Sequence, residues 1–324
     1  MMNTIPLTSF AIIPINVSKI SELVASLFGA AIDLLSSIGL MASDILNTDG
    51  TTFISEIDNL LSKAIEAFMP SLQGIGYGIA IMFFLFNFLN MVTTDNLTLE
   101  QFIKKFCWLF VGIAMVSLAP TFFNKIIQFG DAFTKMVAKN TFLHPGDGVN
   151  IKQIDALLVD TLPEKVDDSL LFMYMGLMVV CIIIPLIIMI GSAIIYGVIY
   201  VIAFTRILEI NVRGAFLPIG LSLFSDECWR GAGGRYLRKF LAIACQGAGI
   251  AMIGQVMSSA ISLAFSYSIS AIEPPDTLLD EATLFLEMTV ELLKAGTISL
   301  AIAAACVMAM FKAQQIISDV FGAQ

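Results

Sequence analysis

Few residues in this sequence have the type and spacing that catalysis or metal binding requires. The single histidine, His144, lies beside Pro145 in a polar stretch, and metal and acid/base sites normally need further partners close by. The five cysteines are odd in number and widely spaced, which fits neither a disulfide framework nor a zinc site. The sequence therefore predicts no catalytic residue, no metal site, no cofactor and no enzyme activity.

A glycine-rich hexapeptide, Arg230 to Arg235, reads RGAGGR and invites comparison with a phosphate-binding loop. It lacks the Lys and Ser/Thr of a P-loop and does not follow a predicted strand. We interpret it as a flexible turn flanked by lipid-facing arginines.

Arg206, Glu209 and Arg213 are three and four residues apart, so one helical face can carry all three charges. Two interpretations remain open for this triad. It anchors the helix at the inner headgroups, or it forms a docking site for a cytoplasmic partner that is acidic or driven by nucleotide hydrolysis.

The amino-acid composition indicates which kind of secondary-structure element carries these residues. Hydrophobic residues make up 58% of the chain and charged residues 13%, against about 25% charged in soluble domains. The chain is therefore predicted to be an integral membrane protein. Its apolar segments are long unbroken runs, and only helices and closed barrels satisfy the backbone in lipid. We predict an all-α, polytopic helical membrane protein with about five transmembrane helices.

The N-terminal region is predicted to be helical but too polar to span. From Ser18 to Leu46, apolar residues recur at helical spacing and acids line the opposite face, with no basic residue after Lys19. Surface helices of membranes usually carry Lys or Arg there, so this helix is expected to pack against protein. No basic residue precedes Lys19, so no cleavable signal peptide is predicted.

The third apolar segment decides the topology. Ser169–Thr205 carries no charge over thirty-seven residues and crosses either as one long helix, straight or kinked at Pro185, or as a hairpin turning near Gly191. A single crossing places nine of the seventeen basic residues but six of the twenty-six acids on one side. The positive-inside rule then favours a single crossing with the N-terminus outside and the C-terminus inside.

The predicted segments follow in chain order. They are 1–70, an extracytoplasmic amphipathic helical region; 71–126, transmembrane helices 1 and 2, crossing at 71–92 and 106–126; 127–168, an extracytoplasmic loop; 169–205, the long transmembrane helix 3; 206–240, a cytoplasmic or interfacial joint; 241–269, transmembrane helix 4; 270–294, an extracytoplasmic acidic helix; 295–311, transmembrane helix 5; and 312–324, a cytoplasmic tail.

The fourth span carries a face of small residues that allows close helix packing, within the protein or between subunits. The face comprises Ala244, Gly247, Ala251, Gly254 and Ser258. Gln246 and Gln255 are the polar residues best placed inside this span, and each either makes an interhelical hydrogen bond or lines a pore. No ionisable residue lies in the middle of a proposed span, which argues against an ion-coupled transporter.

The stretch from Arg206 to Gln246 also resembles a known family. The residues that carry the resemblance are Arg206-Ile-Leu-Glu209-Ile, Ala215-Phe-Leu-Pro218-Ile-Gly, Asp226, Trp229, Arg230, Gly233, Arg235-Tyr-Leu, Phe240 and Cys245-Gln246-Gly247-Ala. In this order they are similar to the TrbL-type polytopic inner-membrane component of conjugative type IV secretion systems, particularly those of Gram-positive mobile elements.

The resemblance implies a cell-membrane platform for the transfer channel, acting as a homo-oligomer with other secretion subunits. It implies that the joint lies beside cytoplasmic ATPases and that a relaxase-bound DNA strand passes only transiently. A net charge of −9 is unfavourable for gripping DNA, because phosphate contacts need Lys and Arg. We therefore expect a scaffold for the path. A stand-alone channel or a small-solute transporter is the alternative.

Overall fold

Nine helices form the part of the chain that the computed structural model describes, which is residues 23–24, 26–35, 37–38, 53–93, 98–139, 171–227, 231–270 and 281–322. The helices are α1 (Ser26–Leu35), α2 (Phe53–Thr93), α3 (Leu99–Ser117), α4 (Ala119–Lys139), α5 (Leu171–Ala215), α6 (Leu217–Ser222), α7 (Phe224–Glu227), α8 (Ala232–Ser270) and α9 (Glu281–Val320). No strand occurs in these residues.

Four helices are long and apolar enough to cross a membrane. They are Glu56–Thr93, Val179–Ala215, Ala232–Ser268 and Thr289–Val320, and a fifth span exists if α3 and α4 are counted together. The predicted class, an all-α polytopic membrane protein with about five spans, is therefore confirmed. The orientation in the membrane stays a prediction.

The second predicted span, 106–126, is broken in the structure. Helix α3 ends at Ser117, α4 begins at Ala119, and the two axes meet at 61°. Pro120 explains the break, because it has no N–H to continue the hydrogen-bond pattern of α3. The first part of the predicted loop 127–168 is helical, since α4 continues to Lys139, and residues 140–168 lie outside the described residues.

The third apolar segment is one helix of 45 residues, α5, about 67 Å long at 1.5 Å per residue. It passes through Pro185 and Gly191 without a turn. Ser192 Oγ donates to Ile188 O at 2.7 Å within the same helix. No hairpin forms here, and the helix continues through Arg206 into the predicted joint.

Helices α5, α8 and α9 form the centre of the molecule. Glu209 of α5 meets Gln314 of α9, and Ile188 lies against Gly296, so these two helices run parallel. Arg238 Nη1 of α8 donates to Gly322 O just after α9 at 3.2 Å, and a Cβ at Gly249 of α8 would lie 2.9 Å from Ile317 Cδ1, so α8 runs antiparallel to α9. In its most apolar stretch α8 is 72% buried, whereas α2 is 11% buried and leaves its apolar surface to lipid.

Two apolar cores stabilise the fold. The first joins α1 to α5, α8 and α9 and contains Val24, Phe28, Ala31, Ile32, Leu35 and Ile38 from the N-terminal segment. The expected packing of this segment against protein is confirmed for its described residues, 24, 26–35 and 37–38. The second core lies around the joint and is built by Ile65, Met69, Phe123, Ile210, Leu217, Leu221, Phe224, Leu237, Phe240 and Ile243.

Candidate functional site: the polar cluster around Arg206

Arg206 points into the protein. Its side chain is 5% exposed, and Nη2 donates to Ala244 O of α8 at 3.2 Å. Gly247 makes room for it, because a Cβ at that position would lie 2.6 Å from Arg206 Nη2 and 2.7 Å from Thr134 Oγ1 of α4. We call Arg206, Thr134, Ala244 and Gly247 the Arg206 cluster. It lies where α4, α5 and α8 meet.

The guanidinium of Arg206 is incompletely hydrogen-bonded. The carboxylates of Asp131 on α4 and Asp58 on α2 lie within electrostatic range of the guanidinium. Nε is buried and has no hydrogen-bond partner among the described residues. A buried charge costs several kcal/mol of desolvation unless it is paired and hydrogen-bonded. Such an arrangement is more typical of a functional group than of one that stabilises the fold.

Asp58 also connects α2 to α5. Its Oδ1 accepts a hydrogen bond from Asn211 Nδ2 at 3.0 Å, and the same nitrogen donates to Ile207 O at 2.9 Å. Asn211 is 2% exposed, and its Oδ1 lacks a partner among the described residues. A second buried polar group thus lies about one turn from Arg206 on α5.

Glu209 and Arg213 form an ion pair with 2.6 Å between Oε1 and Nη2. Gln314 Nε2 of α9 donates to the same Oε1 at 2.7 Å. Tyr236 of α8 donates from its hydroxyl to Arg213 O at 2.6 Å. The predicted triad is therefore divided: Glu209 and Arg213 pair at the side of α9, whereas Arg206 turns toward α4 and α8.

The remaining joint residues surround the short helices. Pro218 is buried in the first turn of α6, and Gly233 is buried where a Cβ would lie 2.7 Å from Phe224 Cδ2. Arg235 is exposed. Asp226 lies in α7. Trp229 and Arg230 lie outside the described residues, as does His144.

The predicted joint, 206–240, is thus largely helical in the described residues. Its first ten residues complete α5, and α8 begins at Ala232. Arg206 therefore lies inside a candidate span, Val179–Ala215. It lies nine residues before the end of this span, so the middle of the span carries no charge, as the sequence predicts.

The small-residue face of α8 is buried within the protein. Ala244 and Gly247 lie against α4 and Arg206, Ala251 is fully buried, and Gly254 and Ser258 are buried further along α8. A Cβ at Gly130 of α4 would lie 2.8 Å from Ala244 C, so the two backbones nearly touch. Of the two predicted kinds of packing, within the protein or between subunits, Ala244 and Gly247 therefore take part in packing within the protein.

The two glutamines of α8 have different surroundings. Gln255 Nε2 donates to Val137 O and Ala138 O, each at 3.1 Å. These carbonyls belong to the last turn of α4, where the C=O groups have no hydrogen-bond partner within their own helix. Gln255 therefore makes the interhelical contact. Gln246 is 6% exposed, and its Oε1 has no partner in the described chain.

Replacing Gln255 with leucine is expected to lower the free energy of unfolding by about 1 kcal/mol, the scale of one interhelical hydrogen bond in a membrane. Hydrogen exchange should rise at residues 135–139, because the end of α4 loses its cap. Gln128→Leu on the exposed face of α4 is the control. Equal exchange in the two variants would show that Gln255 does not cap α4.

Sequence reasoning missed the residues of α4 and α2 that complete this site. The signal in α4 was present, since Phe123, Gly130 and Thr134 recur at helical spacing and are all buried. Asp58 and Asp131 gave no signal, because their proximity to Arg206 arises from the packing of three helices. In the described residues, no group of three or more His, Cys, Asp or Glu side chains is arranged to hold a metal ion.

The fold and the cluster together define a polytopic helical membrane protein with a buried polar site inside its bundle. No family model, curated protein or solved structure matches the chain.

Proposed function

We propose that this chain is a multi-pass subunit of a conjugative type IV secretion system in the cell membrane. It scaffolds the path for a DNA–protein substrate and acts as an oligomer with other secretion subunits, including cytoplasmic ATPases. The observation that carries the proposal is the sequence from Arg206 to Gln246, whose order of residues resembles the TrbL-type component. The buried polar contacts among α2, α4, α5, α8 and α9 support a coupling role for this stretch.

The basic end of the bundle is a suitable surface for a soluble partner. Arg213, Arg235 and Lys239 lie at the end of α5 and the start of α8, and the latter two are exposed. An acidic or nucleotide-hydrolysing partner can bind there and transmit force through α5 to the Arg206 cluster. The chain itself supplies no catalytic residue in this proposal, and its net charge of −9 fits a scaffold better than a DNA-gripping surface.

The proposed orientation places the joint in the cytoplasm. A cysteine at Ala232, an exposed residue at the start of α8, should resist a membrane-impermeant thiol reagent in intact cells and react after permeabilisation. The background is a variant in which all five native cysteines are replaced. A cysteine at Asn150 should react in intact cells. Labelling of both sites from outside would contradict the proposed orientation.

The function is tested by removing the chain from a conjugative donor cell and measuring DNA transfer. Transfer should fall to background and return when the chain is supplied again. The tagged chain should co-purify with a nucleotide-hydrolysing subunit, and reconstituted alone it should neither conduct ions nor take up solute. Conduction by the isolated chain, with normal DNA transfer in its absence, would contradict the secretion role.

Arg206 favours one alternative, a stand-alone channel or small-solute transporter. A buried ionisable side chain within a membrane helix is typical of substrate and ion pathways. This alternative predicts that the chain reconstituted without partners conducts or transports, and that Arg206→Met abolishes the flux. The same reconstitution therefore separates the two functions.

A further inference from the structure

A crevice of about 350 Å³ opens between the end of α5, the start of α8 and the end of α9. Its polar lining consists of Arg213, Lys239, Gln314, Gln315 and Ser318. Ala242, Ile243 and Phe311 complete the wall. We call it the Arg213 crevice. It lies at the end of the bundle that carries the basic joint.

Polar and apolar groups are separated along the crevice. Since α8 and α9 are antiparallel, Lys239 near the start of α8 and Ser318 near the end of α9 share the outer end. Ile243 lies about one helical turn deeper on α8, and Phe311 about two turns deeper on α9. The crevice therefore has a polar mouth and an apolar interior, which suits an amphipathic ligand better than a small inorganic ion.

The charge at the mouth suits a single negative charge. Two cations, Arg213 and Lys239, line the crevice, and in the described chain no carboxylate lines it. Glu209 pairs with Arg213 at 2.6 Å and offsets one positive charge, and the same Oε1 accepts a hydrogen bond from Gln314 Nε2. The amide of Gln315 and the hydroxyl of Ser318 add neutral hydrogen-bond donors. A phosphate ester needs this combination of cations and donors.

The surroundings of the crevice favour a lipid as the source of that phosphate. On the outward sides of α5 and α9 near the crevice, large apolar side chains are strongly exposed, with Val212 at 55%, Met308 at 62%, Ile316 at 55% and Val320 at 79%, beside the exposed polar residues Lys312, Gln315 and Asp319. A ligand that reaches the crevice sideways therefore comes from the hydrocarbon or headgroup layer. Basic pockets between transmembrane helices on the cytoplasmic side are typical sites for anionic lipid headgroups.

We propose that the Arg213 crevice binds the headgroup phosphate of an anionic phospholipid, with the start of one acyl chain against Ile243 and Phe311. Lys239 and Arg213 hold the phosphate, and Ser318 donates to it. Arg213 and Lys239 also belong to the surface proposed for a soluble partner, but lipid binding needs no partner protein and is tested on the chain alone. A bound lipid would fix the ends of α5, α8 and α9 relative to one another, at the base of the Arg206 cluster.

The test uses the full chain in nanodiscs that contain phosphatidylglycerol and phosphatidylcholine in equal amounts. Native mass spectrometry of the released protein counts the retained lipids. Phosphatidylglycerol should be retained in preference, and Lys239→Gln should lower its retention about fivefold, the scale of one surface cation near a membrane. Ser318→Glu should lower it similarly, and Lys239→Arg should preserve it.

Lys312→Gln is the matched control, because Lys312 is an exposed cation of α9 that does not line the crevice. Equal loss in Lys312→Gln and Lys239→Gln, or equal retention of the two lipids by the unaltered chain, would overturn the proposal. A further arm adds inorganic phosphate to the detergent-solubilised chain and follows thermal unfolding. Stabilisation that depends on Lys239, without preference for phosphatidylglycerol, would assign the crevice to soluble phosphate and overturn the lipid as its source.

Discussion

Replacement of Gly130 by alanine is expected to lower the free energy of unfolding by about 2 kcal/mol and to push α4 away from α8. The added Cβ would overlap Ala244 O and lie 2.8 Å from Ala244 C. Both are backbone atoms in the middle of a helix, so neither can rotate away. Alanine is a better helix former than glycine by about 1 kcal/mol, but the overlap exceeds that gain. Thermal unfolding in detergent measures the effect.

The matched control is Gly197→Ala in the interior of α5. No atom lies within 4 Å of a Cβ placed there, so the free energy of unfolding should stay unchanged or rise slightly through helix propensity. The same change should therefore act in opposite directions at the two glycines. Equal stability of the Gly130 and Gly197 variants would show that α4 does not pack closely on α8.

A displaced α4 would also disrupt the polar site. Ala244 O accepts the hydrogen bond from Arg206, and Gly130 O accepts one from Thr134 Oγ1 at 2.8 Å. The same close approach thus sets the position of the guanidinium. Hydrogen exchange should increase along α4 in the Gly130 variant, together with any loss of DNA transfer.

The sequence sufficed for four of the five predicted spans, because length and apolarity are local properties, whereas the span 106–126 is broken near Pro120. Residues 169–205 predicted one long helix, and the structure extends it to Ala215. It did not suffice for α4. Polar residues such as Gln128, Asp131 and Lys135 place residues 127–139 in the predicted loop 127–168, whereas the first residues of α4 belong to the predicted span 106–126. Phe123, Gly130 and Thr134 recur at helical spacing, but this pattern does not show that their face packs against α8, which is a tertiary effect.

The charged residues of the candidate site could be predicted from the sequence, but their contacts could not. The spacing of Glu209 and Arg213 predicted a shared face, and these two residues do form an ion pair. The same spacing placed Arg206 on that face, whereas it turns into the protein. The cause is the gap beside Gly247, which only the packing of α8 on α5 creates. The sequence contains the residues that form this gap, but it does not show where the gap lies in the folded protein.

Replacement of Arg206 by methionine is expected to abolish function without destabilising the fold. The guanidinium gains one hydrogen bond to Ala244 O, worth about 1.5–3 kcal/mol for a charged donor. Its burial costs several kcal/mol, and Nε remains without a partner in the described residues. Asp58 and Asp131 are both partly exposed, so removing the cation leaves no fully buried carboxylate. The free energy of unfolding should therefore stay level or rise by about 1–3 kcal/mol.

In contrast to the free energy of unfolding, which should stay level or rise, DNA transfer should fall. Arg206→Met should reduce it to background, and Arg206→Lys should retain part of it, because lysine keeps the charge but not the planar set of donors. Arg235→Met removes an exposed arginine of the same joint and should leave the unfolding free energy and Arg206-dependent contacts unchanged. A loss of more than about 3 kcal/mol in Arg206→Met would instead assign the charge to stability, as when a buried ion pair is broken. If Arg206→Met folds stably but transfers no DNA, Arg206 is retained for its role in DNA transfer despite the free-energy cost of burying it.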